Sequence, residues 1–175
     1  MNWQAFSESA PVLARLGRER FERTGLVMLG TNRKNGYPRI TPIEWSLFEG
    51  ELLLGGMWQS KKMLDLVRDP RCVLHSTTSD KNGTEGDFKL YGEARDCPDP
   101  EFRERYGQHI FEQIGWRPEE PYHLFAVDIR EAALLQFGEA TAAMAEQVQR
   151  DPAVRAEVHH DDPAGPGHLV AHWKA

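Results

Sequence analysis

Residues 55–70, GGMWQSKKMLDLVRDP, open with two glycines and an aromatic, pass Ser60, Lys61 and Lys62, and settle into Met63, Leu64, Leu66 and Val67. That order reads as a strand end feeding a helix. The helix should stop at Asp69-Pro70, because a residue before proline avoids the helical region. Its first turn is basic, although the helix dipole favours anions at that end and cations at the other. Two readings follow. Lys61 and Lys62 are solvated surface charges, or they help free backbone N–H groups and the Ser60 hydroxyl to hold a phosphate.

Upstream, LVMLGTNRKNGYPRITPIEWSLFEGELLLGG holds three apolar runs cut by Asn35-Gly36 and Glu49-Gly50. Asn-Gly between strand-like runs is a strong hairpin signal, since both residues accept positive φ. Strands are expected over 26–32, 37–48 and 51–57. Before them, residues 9–23 space Val12, Leu13, Leu16 and Phe21 among charges as one amphipathic helix.

Downstream, RCVLHST and GDFKLYGEARDC read as strands joined by the turn-rich TSDKNGTEG. Residues 100–115 suggest a helix with Phe102, Tyr106, Ile110, Phe111 and Ile114 on one face. YHLFAVDIREAALLQF supplies a further strand and bend. Residues 141–160 are helix-like or loosely ordered, HHDDPAGPG is a loop, and HLVAHWK is a closing strand. Short strands joined by hairpins suggest a small antiparallel barrel rather than a doubly wound sheet. GxGxxG and GxxxxGK[ST] are both missing, so any phosphate must be held by another device.

At 175 residues and 40% hydrophobic content, the chain is expected to form one domain over 1–175. Within it, 1–24 is an N-terminal helix, 25–137 the barrel, and 138–175 a helical or loop tail with a closing strand. The charged start and the lack of a long apolar run predict a cytoplasmic protein with no membrane association. A net charge of −6 argues against nucleic acid, so an anionic ligand would need a local cluster. Lys61 with Lys62 forms one such cluster; Arg33, Lys34 and Arg39 form another. Cys72 and Cys97 make no CxxC pattern and are expected as buried free thiols rather than a disulfide.

His159, His160, Asp161 and Asp162 have ligand chemistry, but the Pro/Gly-rich setting predicts a loop and no metal. His168 and His172 are too far apart along a strand for one ion. His75 reads as a strand histidine rather than a haem ligand.

Taken in order, the first strand, the Asn-Gly hairpin, YPRITPI, ELLLGGMWQSKKMLDLVRDPRCVLH and GDFKLYGEAR resemble the split β-barrel flavoproteins of the pyridoxamine 5′-phosphate oxidase-like superfamily. That group includes flavin- and deazaflavin F420-dependent oxidoreductases. The likeness covers residues 20–96 and, more weakly, HLFAVDI and VAHWK. It implies a mainly β, antiparallel split barrel of the FMN-binding type with flanking helices. It also implies a homodimer with cofactor sites at the subunit interface. By the resemblance, Ser60, Lys61 and Lys62 would bind the cofactor phosphate, and Arg39, Ile40, Thr41 and Pro42 would line the ring. Trp58 would stack on that ring, with Trp173 supplied by the partner chain. The plainer alternatives are an outward strand position for Arg39 and a core or interface position for Trp58.

The sequence departs from the namesake enzyme. Thr41-Pro42-Ile43-Glu44-Trp45 stands where an R-x-x-L-(L)-K pattern would be, and HLVAHWKA lacks the basic residues that would hold the vitamin's phosphate. The resemblance therefore favours an FMN- or F420-dependent oxidoreductase moving hydride to or from a small organic substrate, with FAD and haem ranked behind as cofactors. Tyr37, Tyr91 or a water would supply a proton. The alternative is a non-catalytic flavin, F420 or haem carrier; a barrel that has lost its cofactor and only dimerises is a third reading. Residues 98–121 and 138–167 are the segments expected to shape access to the ring.

Overall fold

The computed structural model describes residues 1–160 and 165–175. Residues 161–164 lie outside it, and with them Asp161 and Asp162 of the histidine-aspartate group weighed as a metal site.

The barrel begins with β1 (Leu26–Asn32), β2 (Pro38–Glu44), β3 (Ser46–Phe48) and β4 (Glu51–Met57). The Asn35-Gly36 turn forms as expected: Arg33 N–H donates to the Tyr37 carbonyl at 3.0 Å, and Gly36 takes φ +82°. The expected single strand over 37–48 is broken at Trp45. That side chain turns back to the core, its ring 5.5 Å from Phe21 and its Nε1–H donating to the Phe21 carbonyl at 3.3 Å.

The break decides the architecture. With α3 (Lys61–Arg68), β5 (Arg71–Ser76), β6 (Asp87–Asp96), α4 (Pro100–Ile114) and β7 (Tyr122–Phe137) added, the strand order is β2-β1-β5-β6-β7-β4-β3. β2 and β3 lie at opposite ends of that order, yet only Trp45 separates them in the chain. The sheet must therefore curl until its two edges meet, leaving a split between them. All pairings are antiparallel, and the result is a split β-barrel.

The termini wrap this barrel through contacts no local pattern announces. The expected single N-terminal helix is two, α1 (Trp3–Ser9) and α2 (Pro11–Glu22), hinged at Ala10 with ψ 68°. Asn2 caps α1 by accepting from Ala5 N–H at 2.9 Å. Asp151, 139 and 138 positions further on, accepts from Val12 and Leu13 N–H at 3.2 and 2.8 Å and so satisfies the start of α2. The tail is better ordered than expected. It forms α5 (Thr141–Val148) and β8 (Val154–His159), which pairs with β9 (His168–Lys174), itself paired to β7.

The main core joins Phe6, Leu13, Phe21, Leu54, Leu74 and Phe88 with the inner faces of the strands. A smaller cluster of Leu53, Cys97, Tyr106, Leu124 and Ala126 lies under α4. Phe102, Tyr106 and Ile110 of α4 pack there, whereas Phe111 and Ile114 are exposed, so the buried stripe is narrower than the sequence suggested. Cys72 and Cys97 are free and buried, and burial pushes the Cys72 thiol up to about 12. Among the described residues no helix is long and apolar enough to cross a membrane.

Candidate functional site

Helix α3 lies against β1 and β4 at one end of the barrel. Met63 and Leu66 are buried beneath it, and a Cβ on Gly56 would collide with Met63. The Gly55-Gly56 pair thus lets the helix approach the strand. A turn from Met57 to Ser60, with Gln59 at φ +59°, brings the chain from β4 into the helix.

Ser60 stands at the N-cap position with extended backbone, where serine normally bonds an orphan helix N–H. Its hydroxyl does not: Oγ is buried with no hydrogen-bond partner among the described residues. The first turn carries no acidic residue. Lys61 is exposed, and Lys62 folds back so that Nζ donates to the Pro42 carbonyl at 2.9 Å. Burial lowers the Lys62 pKa, with the Glu44 carboxylate opposing that shift. One strand away, Thr41 Oγ1 is likewise buried without a partner. Alternation along β2 puts Thr41 on the same face as Arg39.

Arg39 points along that face to α3, where its Nε–H donates to Asp65 Oδ2 at 2.6 Å. The same oxygen accepts from Thr31 Oγ1 at 3.1 Å, and Arg68 Nη1 reaches Asp65 Oδ1 at 3.2 Å. Burial would raise the Asp65 pKa, but these three hydrogen bonds outweigh it and hold the carboxyl below its ordinary value. Asp65 was not singled out from sequence. Its signals were a lone carboxylate inside an apolar run and the i, i+3 spacing to Arg68.

The structure therefore places Arg39 and Thr41 on the face of β2 turned to α3 and holds Lys62 on the Pro42 carbonyl, with Ser60 and Lys61 beside it at the helix start, while the Pro42 ring lies on the outer face. Ile40 points to the opposite face of β2 and is 67% exposed. Trp58, 52% exposed, borders the helix start and stacks on His123 at 4.6 Å and 16°, with Phe125 continuing the column at 5.9 Å. A cavity of about 620 Å³ runs along α3 beside them, lined by Leu64, Val67, Pro70, Arg103 and Tyr122. Trp173 lies elsewhere. It is 3% exposed in its own chain's core, its ring 4.8 Å from Phe6 and its Nε1–H donating to Ser9 Oγ at 3.0 Å. A ring so enclosed has no face to lend a neighbouring subunit.

Tyr37 is exposed at the hairpin tip and Tyr91 half-exposed on the outer sheet face. Another hydroxyl pair was missed: Tyr106 and Ser46 lie 3.1 Å apart at the split, the Tyr106 pKa raised by burial and further by Glu44. His75 Nδ1 sits 2.6 Å from the Ser76 carbonyl oxygen and Nε2 3.8 Å from Asp87.

A curled antiparallel barrel, split between its second and third strands and stopped at one end by a helix with a basic first turn, defines the class of split-barrel proteins of the FMN-binding type. Within that class the chain belongs to the pyridoxamine 5′-phosphate oxidase family, whose profile matches residues 16–136. Similar solved structures include a conserved hypothetical protein from Mycobacterium tuberculosis, at 20% identity and TM-score 0.54, covering 65% of this chain and 78% of that one. A NimC/NimA family protein from Clostridium acetobutylicum aligns at 17% identity and TM-score 0.56, covering 71% and 88%. A heme binding protein from Mycobacterium smegmatis aligns at 12% identity and TM-score 0.53, covering 68% of this chain and 52% of that one. At these identities the likeness is one of fold. No curated protein matches the chain.

Proposed function

We propose that this chain is an oxidoreductase that holds the phosphate of FMN or coenzyme F420 at the start of α3 and moves hydride between that cofactor and a small organic substrate. The observation that carries the reading is the pair of buried hydroxyls, Ser60 Oγ and Thr41 Oγ1, left without partners beside Lys62. A buried polar group without a hydrogen bond costs about 1–3 kcal/mol, so two together in a basic corner fit a ligand rich in acceptors. Phosphate is such a ligand, and the free N–H groups of a helix start favour its charge.

The bound cofactor would supply the hydride chemistry, and the protein binding, orientation and electrostatics. Ser60 and the first-turn amides of α3 would donate to phosphate oxygens, with Lys61 and Lys62 balancing their charge. Residues 39–42 of β2 would lie beside the ring. The vitamin B6 reaction of the family's namesake is not part of the reading, since Thr41-Pro42-Ile43-Glu44 replaces its basic strand pattern.

The reading includes a homodimer. Antiparallel sheets usually present polar residues on the side away from the core. Here the outer face of β2-β1-β5-β6 carries one cross-strand row of Pro42, Met28, His75 and Lys89 and another of Ile40, Gly30, Val73 and Tyr91. The β2-β1 part of that face, with Pro42, Met28, Ile40 and Gly30, is apolar, while β5 and β6 add Arg71, Lys89 and Glu93; the apolar part supports cover by a second copy across a two-fold axis.

Titration of the purified protein with FMN, F420, FAD and haem, followed by fluorescence or absorbance, tests the proposal. Saturable binding of FMN or F420 is the expected result, followed by turnover with reduced cofactor and a panel of acceptors. Binding of haem alone, or of none of the four, would overturn it.

A further inference from the structure

We infer that Asp65 is a positioning residue for the anion site: it fixes the Arg39 guanidinium so that its terminal nitrogens face the start of α3. The inference rests on the phosphate reading above and concerns how that site is kept in shape.

Asp65 is 4% exposed and receives three donors from three elements: Thr31 from β1, Arg39 from β2 and Arg68 from its own helix. Arginine donates here through Nε, and among the described residues no hydrogen bond engages its Nη1 or Nη2. That is an uneconomical use of a five-donor fork if the ion pair exists only to join β2 to the helix. It suits an arm whose outer edge serves a ligand. The side chain keeps 22% of its surface open, and its strand neighbour two positions on, Thr41, carries one of the two partnerless hydroxyls. Held at Nε, the rigid guanidinium presents two parallel donors, the arrangement that suits a phosphate.

Simple electrostatics would assign Asp65 the opposite effect. A buried carboxylate near an anion site repels the anion, so its removal should tighten binding. Positioning predicts weakening, and the sign separates the two.

The test measures dissociation constants of FMN and of riboflavin, which lacks the phosphate, for the wild-type protein, Asp65→Asn, Arg39→Ala and the double variant. Wild type should prefer FMN. Asp65→Asn should bind FMN about tenfold more weakly, with riboflavin changed by less than about twofold, the scale of one charge-assisted hydrogen bond. In the Arg39→Ala background the second substitution should add less than about twofold, because the two residues act as a unit. Should Asp65→Asn not fold, Asp65→Glu keeps the charge while displacing Arg39 and is expected to give the same selective loss. Unchanged or tighter FMN binding, an equal loss of riboflavin, or a full loss persisting without Arg39 would each overturn the inference. A wild-type protein that binds both ligands alike would instead remove the phosphate reading itself. The F420 pair, with and without its phosphate-bearing tail, gives the same comparison for the deazaflavin.

Discussion

The two ends of α3 treat their charges in opposite ways. At the C-terminal end every charged group has a partner. Asp69 accepts from Asn32 Nδ2 at 3.1 Å and from Arg71 at 2.9 and 2.7 Å, and Arg68 reaches both Asp65 and the Asn32 carbonyl. Arg71 holds the Asp69 carboxyl well below the usual carboxylate range. At the N-terminal end two cations crowd the positive pole of the helix, and a serine in the capping position leaves its hydroxyl unpaired. Both ends rest on the same packing of Met63 and Leu66. The difference therefore reflects not local stability but what each end is arranged to meet: the closed end joins helix to strand, and the open end faces a ligand.

Removing what the ends share should have the largest effect. Leu66, 1% exposed, changed to Ala should destabilise the fold by about 2–5 kcal/mol in urea unfolding, with cofactor binding lost in proportion to the unfolded fraction. A loss below about 1 kcal/mol would mean that the helix is not anchored by its core face.

The ends should then separate. Lys62→Ala is expected to weaken FMN binding by about tenfold to a hundredfold, the worth of a charge-assisted contact, with the unfolding midpoint barely moved. Equal affinity would remove Lys62 from the site. Its lowered pKa adds a pH signature. Affinity should fall as pH rises through that depressed value, and this alkaline limb should vanish in Lys62→Ala. The unliganded protein should respond in the opposite sense: the unfolded chain keeps the Lys62 proton to higher pH, so folding stability rises across the same window. A limb that survives the substitution would assign the titration to another group.

Asp69→Asn makes the converse prediction at the closed end. It should cost about 1 kcal/mol of stability and leave FMN binding unchanged; an affinity loss without a stability loss would invert the comparison. Ser60→Ala sharpens it most finely. Loss of an ordinary N-cap costs about 1 kcal/mol, but this hydroxyl caps nothing and is buried unpaired, so its removal should leave stability unchanged or raise it by about 1–3 kcal/mol while FMN affinity drops. A full capping penalty in thermal unfolding would show that the hydroxyl already serves the helix.

What the sequence disclosed follows the range of the forces involved. The Asn35-Gly36 turn, the stop of α3 before Pro70 and the alternation of β6 are set by neighbours, and they stand where expected. The division of the N-terminal helix at Ala10 has a local cause in Pro11, since a residue before proline avoids the helical region, but the capping of α2 by Asp151 comes from the far end of the chain. The break at Trp45 depends on a bond to Phe21, and the burial of Trp173 on Phe6 and Ser9. The candidate site divides in the same manner. Ser60, Lys61 and Lys62 are contiguous and legible, and Arg39 to Pro42 came through the family resemblance. Asp65, which joins the two segments, and His123, which meets Trp58 across 65 positions, become visible only once the barrel closes.

A crystal structure of the FMN complex would test the open end of α3 most directly. The expected result has phosphate oxygens within hydrogen-bonding distance of Ser60 Oγ, Lys62 Nζ and the first-turn amides, with the ring against β2. A phosphate bound instead among Arg68 and Arg71, or away from the helix altogether, would contradict it.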